Sequence, residues 1–180
     1  MAGQVTIRRA VPADAPAVAR LHIRAWQWAY RGLVPDAVLD QLPAGSDRWE
    51  AHRRATIARA GREERTWVAE LSGRVVGFAD TGPSRDADTA PGTAEVYALY
   101  LDPDVVGTGV GQSLFSHAVA DLQQRGYRAA TLWVLETNAR ARRFYEVAGW
   151  YLDGAAKVEQ RPGFDLREVR YRVDLAPAHR

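Results

Sequence analysis

Three sets of residues in this chain have types and spacings that can do chemistry. Gly107, Gly109 and Gly111 stand between an apolar, β-like run and an amphipathic stretch. A glycine turn that opens a helix makes an anion cradle, because helix-initial N–H groups lack partners within the helix and the peptide dipoles put partial positive charge there. Glycine also lets a ligand come close to the backbone, and a phosphate is the natural ligand. Glu95 lies in an otherwise apolar strand, where burial without a partner is costly. That points either to function or to pairing with one of the chain's many arginines. Tyr145 shares an i, i+3, i+4, i+7 stripe with Ala141, Phe144 and Ala148, which by period alone is core. Asn138, seven residues before Tyr145, is a favoured N-cap and returns to nearly the same side of the helix.

These residues need elements to position them. The pattern predicts a strand over 6–10, then a helix capped by Asp14 with Val18, Leu21, Ala25, Trp28 and Ala29 on one face. A short helix over 35–42 follows, and a third, capped by Ser46, carries Trp49, Thr56 and Ile57 and stops at Gly61. Strands over 66–71 and 74–80 flank a Ser72-Gly73 hairpin turn. Pro, Asp and Gly make 83–92 a mobile loop. A strand over 93–101, a helix over 110–125 stopped by Gly126, a strand over 129–135 and a helix over 138–148 closed by Gly149 come next. Two strands, 150–158 and 166–175, meet at Arg161-Pro162-Gly163. Alternation along 93–101 assigns Glu95, Tyr97, Leu99 and Leu101 to one face and Val96, Ala98 and Tyr100 to the other. With no repeat or linker, 1–180 reads as one domain.

Composition excludes several function classes. The formal charge is only +2 with no long basic run, which gives no nucleic-acid footprint. Cysteine is absent, so there is no disulfide frame, thiol nucleophile or thiolate metal site. His22, His52, His117 and His179 show no metal-ligand spacing with carboxylates, so no metal is expected. No apolar stretch has membrane-spanning length and no leader pattern opens the chain, so a cytoplasmic protein without a membrane partner is expected.

A glycine turn alone also fits nucleotide folds and plain connections. No Gly-Lys-Ser/Thr follows the glycines, and their spacing is not Gly-x-Gly-x-x-Gly after a β-α-β unit. The run Val106-Gly107-Thr108-Gly109-Val110-Gly111, however, resembles the acetyl-CoA loop Arg/Gln-x-x-Gly-x-Gly/Ala of the GCN5-related N-acetyltransferase (GNAT) superfamily. The stretch from Asn138 to Trp150 resembles that family's Asn-x-x-Ala-x-x-Phe-Tyr-x-x-x-Gly-Phe signature. The element order matches from Thr6 to Leu175. The resemblance implies an α/β GNAT fold, a mixed, mainly antiparallel sheet of about seven strands with helices on both faces. It implies acetyl-CoA as acyl donor, with main-chain groups of Leu99, Tyr100 and Leu101 pairing with the pantetheine arm. Gly107, Thr108, Gly109, Val110, Gly111 and Gln112 would hold the pyrophosphate, and Asn138 and Tyr145 would face the same groove. The family's leading Arg or Gln is Val106 here, which keeps a backbone amide and loses a side-chain charge.

Acetyl transfer to an amine needs a deprotonated nucleophile, donors for the carbonyl oxygen and a proton for the departing thiolate. The resemblance places Tyr145 beside the sulfur as the acid. Some relatives carry a glutamate base on the fifth strand, where this chain has Trp133, so Glu95 acting through water is the candidate base, beside deprotonation by solvent. Trp26, Trp28, Tyr30 and Trp49 fall at the acceptor end and read as core or as a cation–π wall. Glu70, Asp80 and Asp86 read as solvated, or as attracting a cation. Arg140, Arg142 and Arg143 read as solvated, or as meeting the cofactor's 3′-phosphate. The expected acceptor is a small-molecule primary amine. A peptide or protein amine, and a non-catalytic acyl-CoA sensor, stand as alternatives. A homodimer follows only by analogy with members that pair through terminal elements.

Overall fold

The computed structural model describes residues 4–42, 47–59, 61 and 63–175. The elements in order are β1 (Val5–Arg9), α1 (Ala15–Ala29), α2 (Asp36–Asp40), α3 (Asp47–Arg59), β2 (Arg65–Leu71), β3 (Arg74–Pro83) and β4 (Thr93–Leu101). They continue as α4 (Val110–Gln124), β5 (Ala129–Leu135), α5 (Ala139–Val147), β6 (Tyr151–Arg161) and β7 (Phe164–Asp174). The strands form one sheet in the order β1-β2-β3-β4-β5-β7-β6. Every neighbouring pair is antiparallel except β4 and β5. This is the mixed, mainly antiparallel α/β sheet that the sequence predicts.

Side-chain alternation assigns the two faces. On β2, Val68 packs with Val18 and Leu21 of α1 and Phe78 of β3. Its neighbours Trp67 and Ala69 turn to the other side and pack with Val110, Leu114 and Ala118 of α4. A further cluster joins Phe115 and Leu122 of α4, Leu132 and Val134 of β5, and Tyr145 of α5. Helices therefore cover both faces. Among the described residues no helix is long and apolar enough to cross a membrane.

Three local expectations need correction. Asp14 does not cap α1, because its carboxylate accepts the Val11 amide at 2.8 Å and pairs with Arg8, and its own backbone is already helical. Trp28 is 40% exposed, so it leaves the buried face that Val18, Leu21 and Ala25 share. The segment after β3 is fastened to the sheet by Asp86 and Asp88, both paired with Arg170 of β7. The proposed cap Ser46 lies outside the described residues.

Candidate active site

β4 and β5 run together for three residue pairs, Thr93 with Ala129, Ala94 with Ala130 and Glu95 with Thr131. Beyond Glu95 they part. β4 stays paired to β3 as far as Leu101, so its β5-facing main chain over 96–101 has no strand partner. An open edge of this kind accepts an extended, amide-bearing ligand. A cavity of 810 Å³ fills the fork and reaches from the glycine turn to Lys157 and Glu168.

A bulge near the fork changes what β4 presents. Asp80 pairs with Ala98 and Thr81 with Val96, which leaves Tyr97 without a partner on β3. Strict alternation therefore fails. Leu99 joins Val96 on the α4 face, Leu101 packs on the same side, and Ala98 and Tyr100 turn to α1. Leu99 and Leu101 thus offer the cavity mainly backbone. The Tyr100 hydroxyl lies 3.3 Å from that of Tyr30.

The glycine turn closes one end. Gly107 has φ 82° and Gly109 φ 90°, conformations that strain residues with a Cβ. Gly109 is the residue before α4, and the first turn-closing bond runs from the Ser113 amide to the Gly109 carbonyl at 3.0 Å. The Val110, Gly111 and Gln112 amides, lying inside that turn, have no helical acceptor and can take an anion. Other members of the predicted set do different work. The Thr108 amide and hydroxyl both bond the Val105 carbonyl, at 3.3 and 2.7 Å. The Val110 side chain is core. A Cβ on Gly111 would come within 2.7 Å of Leu101 Cδ1, so this glycine serves helix-on-strand packing rather than ligand approach. The Val106 amide is spent on the Pro103 carbonyl at 3.3 Å, which corrects the reading that valine still supplies its amide.

α5 forms the β5 side of the groove. Asn138 caps it, accepting the Ala141 amide at 3.1 Å while its side chain lines the cavity, so capping and lining coexist. Tyr145 also serves two readings. Its ring packs 5.4 Å from that of Phe115, and the residue reaches the cavity wall. Burial, with a smaller contribution from Tyr100, raises its pKa and holds the phenol protonated. Of the three arginines here, Arg142 is absorbed by the Tyr171 hydroxyl and the Glu136 carbonyl, and Arg140 lies 4.3 Å over the Trp28 ring across the cavity mouth.

The far end is built from side chains. Glu95 is 3% exposed and takes the paired alternative, with Arg85 donating from its backbone amide at 3.0 Å and its guanidinium at 2.9 Å. Arg85 also stacks on Tyr97 at 4.0 Å. Trp133 is oriented by its indole N–H on Asp86 at 2.9 Å, and Lys157 sits 4.2 Å over its ring while pairing with Glu168 at 3.3 Å. Trp28 and Tyr30 line this end. Trp26 and Trp49 pack behind it around His22, whose Nδ1 faces Arg53 at 2.9 Å; Arg53 in turn holds Asp80 at 2.6 Å. Burial, then Arg53 and His52, lowers the His22 pKa to about 3. Glu70 pairs with Arg8, so none of Glu70, Asp80 and Asp86 is simply solvated. Among the described residues no cluster suits a metal, and His179 lies outside them.

Sequence reasoning missed Arg85, Lys157 and Glu168. Arg85 lies in the loop after β3, and Lys157 and Glu168 lie on strands whose local pattern does not say which strand they join; only sheet pairing brings the three to one place.

A model of the acetyltransferase (GNAT) family matches residues 21–150. A probable N-acetyltransferase of Mycobacterium tuberculosis is 29% identical over 94% of this chain and 93% of its own. A mycothiol acetyltransferase of Thermobispora bispora is 38% identical over 48% of this chain and 31% of its own length. In structure, yncA of Salmonella typhimurium, solved with its cofactor acetyl-CoA, superposes with TM-score 0.74 at 24% identity, over 98% of this chain and 97% of that one. The PaiA N-acetyltransferase of Thermoplasma acidophilum, solved with coenzyme A, gives TM-score 0.73 at 18% identity, over 95% and 99%.

Proposed function

The chain belongs to the acetyltransferase (GNAT) family and is an acetyl-CoA-dependent N-acetyltransferase, and from that premise we propose that it acetylates a primary amine of a small molecule by direct attack in the forked cavity. The observation that carries this reading is the cavity itself, with free helix-initial amides at one end and a side-chain-lined chamber at the other. Acetyl-CoA, when bound, supplies an activated acyl group. The chain's part is to hold it and to manage protons. The Val110, Gly111 and Gln112 amides take the pyrophosphate, and the open β4 edge at Leu99, Tyr100 and Leu101 takes the pantetheine amides. Tyr145, kept protonated by burial, gives its proton to the departing thiolate. Asn138 fixes the start of the helix that carries Tyr145.

Glu95 becomes a base only when an incoming ammonium, or water, displaces the Arg85 guanidinium. The Arg85 side chain is 64% exposed, whereas that of Glu95 is 4% exposed, so the guanidinium is the partner that water or an ammonium can reach and replace. A small acceptor is favoured because Trp28, Tyr30 and the Lys157–Glu168 pair line the cavity with bulky and charged side chains. The test is thiol release from acetyl-CoA across matched panels of small amines and amine-terminated peptides. Faster release with small amines supports the reading, and a preference for peptides overturns it. Coenzyme A binding without any acceptor-dependent release would favour a sensor. A kcat/KM pH profile unchanged in Glu95→Gln would remove Glu95 as base.

A further inference from the structure

The chain contains 23 arginines and a single lysine, Lys157. That lysine lines the acceptor chamber. From its place we propose that Lys157 is a site of self-acetylation, its own amine acting as acceptor for the bound acetyl-CoA. The inference rests on the cavity being where acetyl transfer occurs.

Three observations converge on it. First, β5 leaves β4 after Thr131, and Trp133 is two residues further on, so the Lys157 ammonium over its ring stands about 7 Å along the strand from the fork. Second, the amine has a proton acceptor of its own, because Glu168 lies 3.3 Å from it and faces the same cavity. Third, nucleophile and acid face one cavity. Tyr145 of α5 and the Lys157–Glu168 pair both line it together with Tyr30, whose hydroxyl feels the charge of Tyr145 and of Glu168. The Lys157 side chain is 46% exposed, which leaves it room to leave Trp133 and reach the thioester.

The step balances without a further reactant. A Lys157 N–C bond forms to the acetyl carbon and the C–S bond breaks. The ammonium gives up two protons. One passes through Glu168 to water, and the other replaces the proton that Tyr145 gives to the thiolate. The product is a neutral amide, so the ion pair with Glu168 is lost and an acetyl group occupies the acceptor seat.

The experiment is incubation of the full chain with carbon-13 acetyl-CoA and no added amine, read by intact mass and peptide mapping. One acetyl on Lys157 is expected, forming at a rate independent of protein concentration. The intact-mass gain should vanish in Lys157→Arg, and labelling should slow about 100-fold in Glu168→Gln with acetyl-CoA affinity unchanged. Equal labelling of the urea-unfolded chain would make the reaction non-enzymatic and overturn the proposal. So would an unlabelled Lys157 in protein shown by calorimetry to bind acetyl-CoA. Failure to bind acetyl-CoA would instead overturn the reading of the cavity, and this inference with it.

Discussion

The two ends of the cavity are made differently. The glycine-turn end is backbone, with helix-initial amides, an open strand edge and two left-handed glycines, all within 95–112. The end proposed for the acceptor is side chain. Glu95 of β4, Trp133 of β5, Lys157 of β6, Glu168 and Arg170 of β7, and Arg85 and Asp86 of one loop meet there, held by separate ion pairs and the Trp133–Asp86 hydrogen bond. Backbone recognition is indifferent to most side-chain changes and depends on shape. Recognition by ion pairs can be changed one residue at a time, which suits a constant donor at one end and a chosen acceptor at the other.

The sharpest way to break the comparison is at the point where the two ends meet. Tyr145→Phe should lower kcat by roughly 100-fold, the low end for loss of a general acid. The packing of its ring is kept, so melting temperature and acetyl-CoA affinity should hold. An unchanged kcat would assign Tyr145 to the core alone.

Next in size is a change at the backbone end. A Val at Gly109 must adopt φ 90°, at a cost of about 1–2 kcal/mol. If that strain is relieved by deforming the turn, KM for acetyl-CoA should rise about tenfold with acceptor preference kept. Lys157→Ala should do the opposite, altering acceptor preference and leaving the acetyl-CoA KM near its original value. If both variants move the same constant, the division between the ends fails.

That division also governs how much was legible in the sequence. β4, β5 and the hairpin at Ser72-Gly73 were readable because strand period and turn chemistry are local. The glycine turn was readable for the same reason. The bulge at Tyr97 was not, since it arises from the register of β3 against β4, and it overturned the facing of Leu99 and Leu101. The use of the Val106 and Thr108 amides was hidden as well, because it depends on how the turn after β4 closes on Pro103 and Val105. Glu95 was legible as a residue needing a partner. Which arginine answers it depends on a loop that no period describes.

Behind the acceptor wall, His22 tests whether that end relies on buried polar packing. Its pKa in the fold is about 3 against an ordinary 6.5, so the folded protein keeps it neutral where the unfolded chain takes a proton. Stability is therefore full above pH 6.5 and falls as pH drops toward 3, by at most about 1.4 kcal/mol per pH unit. Urea titrations at pH 7 and 5 measure that slope. His22→Asn, which keeps an acceptor for Arg53 and cannot titrate, should flatten it, and an equal slope in both proteins would assign the acid sensitivity elsewhere.

The smallest expected effect separates two roles at one residue. Asn138→Ala removes the bond to the Ala141 amide and should cost about 1 kcal/mol of stability, seen as a lower urea midpoint. Asn138→Ser restores a capping oxygen but has no side-chain amide to offer the groove. If Asn138 only caps, serine recovers both stability and the acetyl-CoA KM. If its amide also touches the donor, serine recovers stability and leaves KM raised. The second outcome would make Asn138 the one side chain by which the backbone-built end also reads its ligand directly.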